Sequence, residues 1–310
     1  MDKLITIFGI FAVDFNFRSE KIPITGETLL GKFSTGPGGK GSNQAIAARR
    51  AGGNVNFITK IGVDLFGEIA LERYKQEGIR TDLIIQDKNY PTGAAAILLE
   101  NETGKNAIVV CPGAASEFTI DEIMHKESRI QTASFFMTQL ETPLTVTFRA
   151  MEIAAKHKIP VILNPAPANE IPSSVYPLCD YFIPNEVEAS SLAGIPVKDI
   201  NDAEKAADIF LERGVKNVII TFGEKGVLVK NKDLLEHVPA TQLRDPVVDT
   251  TGAGDAFSGS FVAALSQGKE LPDAIRYANT AAGISVTRLG TALSAPYQHE
   301  IEKLLLQAIN

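Results

Sequence analysis

Asp249-Thr250-Thr251-Gly252-Ala253-Gly254-Asp255-Ala256-Phe257 sets a glycine-containing turn directly ahead of a helical pattern. The first backbone N–H groups of a helix have no internal partner, and the helix dipole adds positive potential there. Gly252, Ala253 and Gly254 leave those amides uncovered, so the segment reads as an anion hole for a phosphoryl group in transfer. Asp255 falls in the first turn, where its carboxylate could take the proton of an attacking hydroxyl. A carboxylate there also complements the dipole as an ordinary helix-start residue. The two glycines just before it favour the catalytic reading.

A second glycine run, Gly36-Pro37-Gly38-Gly39-Lys40-Gly41-Ser42-Asn43-Gln44-Ala45, also leads into a helical pattern. Lys40 and Asn43 suit hydrogen bonding to sugar hydroxyls, and Gly39 and Gly41 permit close backbone approach. The run contains a GxGxxG spacing, but a dinucleotide fingerprint directly follows the first strand of a βαβ unit. Here the first apolar run is Leu4–Gly9 and the glycines come much later, with Pro37 among them, which disfavours a nicotinamide oxidoreductase. No GxxxxGK[ST] loop occurs, which excludes a P-loop kinase. A third segment, Asn185-Glu186-Val187-Glu188, follows the apolar Tyr181–Ile183, where open α/β sheets bind ligands. Asn185 and Glu188 could hold the waters of a magnesium ion on ATP, or they could simply begin a helix and complement its dipole.

These segments need elements to hold them. Leu4–Gly9 is continuously apolar, as inside a doubly covered sheet, and like runs recur at Asn56–Ile61, Ser134–Thr138, Pro160–Leu163, Tyr181–Ile183 and Asn217–Thr221. Between them Ser42–Ala51, Phe66–Gln76, Pro143–His157 and Ala203–Arg213 read as helices, with Gly254–Gln267 and Pro272–Thr287 following. The alternation predicts βαβ units and an α/β fold with a mostly parallel central sheet. Two stretches break the rhythm: the extended, turn-rich Ala12–Thr35, and Ala94–Cys111, which reads as a hairpin turning at Asn101-Glu102-Thr103-Gly104. Either they pair into a small separate sheet, one face of which needs cover from a ligand or a second subunit, or they decorate the main sheet.

The bulk numbers bound the rest. The 310 residues, 45% apolar and 22% charged, suit one large α/β sheet enzyme with a full core. A formal net charge of -7 without a basic stripe argues against nucleic acid. Cys111 and Cys179 stand apart from any CxxC or Cys/His cluster, as two reduced thiols of a cytoplasmic protein would. The opening segment contains Asp14 and no small-residue cleavage site, so no signal peptide is expected. No apolar run of about 18 residues predicts a membrane span.

Together DTTGAGDAF, GGKGSNQA, NPAPA (Asn164–Ala168), PNEVEA and TFGEKG (Thr221–Gly226) resemble the ribokinase branch of the ribokinase/phosphofructokinase-B sugar kinases, in order from about Leu4 to Pro296. The resemblance implies a three-layer α/β/α sandwich in one domain spanning 1–310. Segments of about 12–35 and 94–111 would form a β-sheet lid that also joins two subunits. It implies transfer of the γ-phosphoryl of MgATP to the hydroxymethyl of a small sugar, D-ribose first, with 2-deoxyribose or another small sugar or sugar acid as the alternative. A non-catalytic sugar- or nucleotide-binding protein would be expected to lose Asp255 or its glycines, and all are present. Asp255 would be the base, with Gly252, Ala253 and Gly254 as the anion hole. Asp14, Gly39, Lys40, Gly41, Asn43 and Glu141 would hold the sugar. Asn185, Thr221, Phe222, Gly223, Glu224, Lys225, Gly226, Gly254 and Asn279 would contact ATP, and Asn185 with Glu188 would serve magnesium. Asp249, Thr251, Ser285, Arg288, Gly290 and Ser294 match a monovalent-cation site, usually for potassium. One position departs from the family pattern: Ala12 stands where an Asn usually contacts the sugar, so the pocket would lack a side-chain partner for one hydroxyl.

Overall fold

The computed structural model describes residues 3–101, 106–243 and 245–309. The chain opens with β1 (Leu4–Phe8), β2 (Ala12–Ser19) and β3 (Lys32–Gly38), then a helix at Lys40–Arg50. Next come β4 (Asn54–Ile58) and β5 (Lys60–Gly62), a helix at Leu65–Glu77, and β6 (Ile85–Asp87), β7 (Thr92–Glu100) and β8 (Asn106–Gly113). Then come β9 (Phe135–Thr138), the helix Leu144–Lys156, β10 (Val161–Leu163), β11 (Tyr181–Phe182), the helices Glu186–Ala193 and Ile200–Glu212, and β12 (Asn217–Thr221). β13 (Val227–Lys230) and β14 (Leu235–Val238) lead to the helices Ala253–Ser266, Leu271–Ser285 and Gln298–Ile309.

Eight strands form the main sheet in the order β14-β13-β12-β11-β10-β9-β1-β4. From β4 to β12 every pairing is parallel; β13 and β14 close one edge antiparallel. The pleat sends successive side chains to opposite faces. On β1, Ile5 and Ile7 join one core with Ile46, Phe257, Phe261 and Tyr277, while Phe8 joins the other with Phe136, Met151, Phe182 and Phe210. Helices thus cover both faces, and the continuous apolar runs are explained.

The two irregular stretches do pair. β3-β2-β7-β8 is a separate four-stranded sheet, with β2 and β7 parallel and the flanking pairs antiparallel. The hairpin is present as β7 and β8, although positions 102–104 of its turn lie outside the described residues. Phe15 anchors this sheet edge-on to Phe66, 5.4 Å between ring centres. The run Asn56–Ile61 proves to be two strands: β4 stays in the main sheet and β5 leaves it to pair with β6. There Lys60 is held within 2.9 Å of both Asp87 and Glu122. The antiparallel edge and the last helix are additions to the sequence reading, since Leu235–Val238 alternates burial without a continuous apolar run.

Candidate active site

The helix Ala253–Ser266 starts on Gly252, whose φ of 81° is left-handed and suits glycine. No side chain caps this start. The Ala253 N–H turns toward the Thr250 carbonyl at 3.3 Å. Among the described residues the N–H groups of Gly252, Gly254 and Asp255 have no acceptor. The amides open to an anion are therefore those three, with Asp255 rather than Ala253 as the third. A Cβ on Gly254 would meet nothing within 4 Å, so the space before it is clear.

Asp255 is 6% exposed, and both of its oxygens are held. Oδ2 accepts from Asn43 Nδ2 at 2.9 Å, and Oδ1 accepts from Gln44 Nε2 at 2.9 Å. Gln44 Nε2 also donates to Asn164 Oδ1 at 2.9 Å, Asn164 Nδ2 donates to Ile183 O at 2.7 Å, and Gln139 Nε2 donates to Gln44 Oε1. This amide relay fixes the carboxylate's orientation. A carboxylate has about four lone-pair positions, so room remains for a hydroxyl proton. Beside it lies a cavity of about 150 Å³ lined by Lys40, Asn164, Asn185, Glu188, Thr221, Gly252, Gly254 and Ser258.

Asp14 lies across from this helix on β2, 5% exposed, its Oδ2 3.1 Å from the Thr291 hydroxyl. Gly38 packs on that carboxylate so closely that any side chain there would overlap it. Burial pushes Asp14 up to about 6, helped by the Asp255 charge and opposed by the Thr291 bond. Burial also pushes Glu141 up to about 7, against the pull of Lys40. Glu141 Oε2 accepts the Lys40 backbone N–H at 2.8 Å, at the first residue of a helix that Gly39 caps. Burial works against the Lys40 ammonium, but the Asp255, Glu141 and Glu188 carboxylates outweigh it and hold its pKa above the usual lysine range. Ala12 is buried between Gly38 and Gly93 of the neighbouring strands.

The profile of the pfkB family carbohydrate kinases matches residues 2–298. The chain belongs to this family. It is 38% identical to a ribokinase from Haemophilus influenzae over 309 residues, covering 99% of this chain and 100% of that one. It is 35% identical to a deoxyribokinase from Salmonella typhi over 303 residues, covering 97% and 98% of the two chains. The solved structure of the Arabidopsis thaliana ribokinase with ribose and ATP superposes with a TM-score of 0.89 at 28% identity, covering 98% of this chain and 99% of that one.

Not every expected residue of this pfkB kinase reaches the cavity. In Thr221–Gly226 only Thr221 lines it. Phe222 is 5% exposed in the core, Lys225 Nζ donates to Lys198 O at 3.2 Å, and Gly226 turns the chain onto Val238. Gly223 and Glu224 sit in that same short turn. Asn279 is 7% exposed and donates to Pro239 O at 2.7 Å. Asn185 and Glu188 form a capping box, each side chain accepting the other's backbone N–H at 2.8 and 2.9 Å, and both also line the cavity. Burial raises Glu188 above the usual carboxylate range, against its Asn185 bond.

The six candidate cation residues form a linked set of turns. Asp249 accepts the N–H of Thr251 at 2.9 Å and of Gly290 at 3.2 Å. Ser285 Oγ donates to Ala282 O and Ser294 Oγ to Thr291 O, each at 2.7 Å. The Arg288 guanidinium is paired with Glu300 at 2.5 Å, which leaves only its main chain for the turn. Sequence reasoning passed over Gln44, Gln139, Asn164, Ser258 and Thr291. Gln44 and Asn164 stand inside quoted stretches, GGKGSNQA and NPAPA, which was the available signal.

Proposed function

We propose that this kinase transfers the γ-phosphoryl of MgATP to the hydroxymethyl of a pentose, ribose first, with 2-deoxyribose as the second reading. The observation that carries it is the Asp255 carboxylate, clamped by Asn43 and Gln44 at a helix start with open amides. Asp255 takes the hydroxymethyl proton as a new P–O bond forms to the sugar oxygen and the bond to ADP breaks. The amides of Gly252, Gly254 and Asp255 stabilise charge on the moving group, and Lys40 adds a cation beside them. Asp14, Asn43 and Glu141, with the close-packed Gly39 and Gly41, hold the sugar; Asn185, Thr221 and the following turn meet the nucleotide.

Among the described residues no three His, Cys, Asp or Glu side chains are grouped to hold a metal. Asn185 and Glu188, facing one cavity, nonetheless fit magnesium, which takes one or two carboxylates and keeps waters and phosphate oxygens. Bound there, it would neutralise phosphate charge. The oxygen atoms of Asp249, Thr251, Ser285, Arg288, Gly290 and Ser294 suit potassium, which would brace the turn ahead of Gly252. The chain acts as one domain, with the four-stranded sheet as a lid that excludes water and pairs two subunits. We place it in the cytoplasm, where MgATP is plentiful; Cys111 and Cys179 are both free thiols.

The test is coupled ADP release with MgATP and potassium across ribose, 2-deoxyribose, fructose, adenosine and 2-keto-3-deoxygluconate. Preference for ribose supports the first reading, and preference for 2-deoxyribose the second. The relatives include both a ribokinase and a deoxyribokinase, and Ala12 offers no side-chain partner to a hydroxyl. Turnover confined to another compound removes the pentose.

A further inference from the structure

The Thr291 hydroxyl stands where three parts of the molecule meet. Its Oγ1 lies 3.1 Å from Asp14 Oδ2 on β2 and 2.9 Å from the Pro37 carbonyl on β3. Its backbone abuts Gly252, since a Cβ built there would sit 2.9 Å from Thr291 Cα. The preceding Gly290 N–H donates to Asp249 Oδ2 at 3.2 Å. The hydroxyl is therefore carried by a segment braced on the turn ahead of the Asp255 helix, and it reaches over to the small sheet.

Asp14 has little else to hold it. Thr291 is its hydrogen-bond partner among the described residues, and Oδ1 has none. The strand neighbours of Asp14 are Gly36 and Ala95, and those of Ala12 are Gly38 and Gly93, so no polar side chain flanks the carboxylate there. A hydroxyl carries one proton, so Thr291 donates to Asp14 or to Pro37 but not to both at once. A buried carboxylate without that donor would be left poorly compensated and free to rotate.

We propose that Thr291 is a positioning residue of the sugar site: its hydroxyl holds Asp14 Oδ2, sets the carboxylate's rotamer, and leaves Oδ1 to accept a sugar hydroxyl. This rests on the reading of Asp14 as a sugar anchor. Thr291→Val removes the hydroxyl at nearly constant shape, and Thr291→Ser keeps it. With the sugar the wild type uses best, Thr291→Val raises the sugar KM about tenfold, roughly 1.4 kcal/mol, while kcat and the KM for ATP stay within about twofold. Thr291→Ser restores the sugar KM. A valine variant that loses kcat at unchanged sugar KM, or a serine variant as impaired as valine, overturns the proposal.

A second readout needs no sugar. The ¹³C carboxyl signal of Asp14, assigned by its loss in Asp14→Asn, titrates at higher pH in Thr291→Val than in wild type or Thr291→Ser, because the charged form has lost its donor. Asp255 and Glu141 act on Asp14 in all three proteins, so their charge is common to the comparison. One midpoint shared by all three overturns the proposal. A shifted midpoint in a protein that turns over none of the sugars keeps Thr291's hold on Asp14 and discards the pentose reading.

Discussion

Asp255 accepts two amide hydrogen bonds and still faces a cavity, which suits a base whose job is to be aimed. Asp255→Asn is expected to lower kcat by about 10²–10⁴-fold, the usual weight of a positioned acid–base group, with ATP affinity and thermal midpoint close to wild type. Equal turnover in that variant would falsify the assignment. Asp14 and Glu141 make a pH prediction. Burial lifts them to about 6 and about 7, above the ordinary carboxylate range. Their folded-state values are raised, so the stability they contribute is present at low pH and fades as pH rises through about 6–7. Sugar hydroxyls prefer the ionised forms, so kcat/KM for sugar rises over that same window while kcat/KM for ATP changes less; a flat sugar profile removes both groups from the sugar site. Ala12→Asn adds a partner for one hydroxyl and raises the ratio of kcat/KM for ribose over 2-deoxyribose roughly two- to tenfold. An unchanged ratio means this position does not read a hydroxyl.

At the scale of elements, the site is a meeting of helix starts. Lys40–Arg50 brings Asn43 and Gln44, Ala253–Ser266 brings Asp255 and its amides, and Glu186–Ala193 brings Asn185 and Glu188. The first two were legible because glycine turns ahead of apolar periodicity are local signals, and the third because Asn185 and Glu188 directly follow an apolar strand. The relay behind Asp255 was not, since Gln44, Gln139, Asn164 and Ile183 lie far apart in the chain and meet only through the sheet order. TFGEKG shows what a contiguous stretch leaves open: it carries one cavity residue, Thr221, and one core residue, Phe222, because a strand end alternates its faces. Gly252→Ala tests the helix start. The left-handed φ strains any side chain by ~1–3 kcal/mol, and the new Cβ meets Thr291 at 2.9 Å. The variant should melt several degrees lower and lose tenfold or more in kcat, on the order expected when an anion-hole donor is displaced. An intact kcat would move the anion hole away from this turn.

At the scale of the whole molecule, the main sheet is covered on both faces while the small sheet is not. Phe17, Phe33, Ile108, Val109 and Val110 are exposed, and the last three lie on β8, an edge strand. A four-stranded sheet with an apolar, unpaired edge invites either a ligand or another chain. A small sugar is too small to span a strand edge and the Phe17–Phe33 pair, whose ring centres lie 5.3 Å apart, so the proposed cover is a second copy of this chain. Val109, at 66% exposure, is the most open of the three on β8. Val109→Lys puts a charge on that edge without touching Asp14, Asp255 or Thr291. Size-exclusion chromatography with light scattering should then give the mass of two chains for the wild type and of one for the variant. With its lid no longer braced by a partner, the variant should raise the sugar KM more than it lowers kcat. A two-chain mass for both proteins places the subunit contact elsewhere, and a one-chain mass for both leaves the lid to close on the sugar alone.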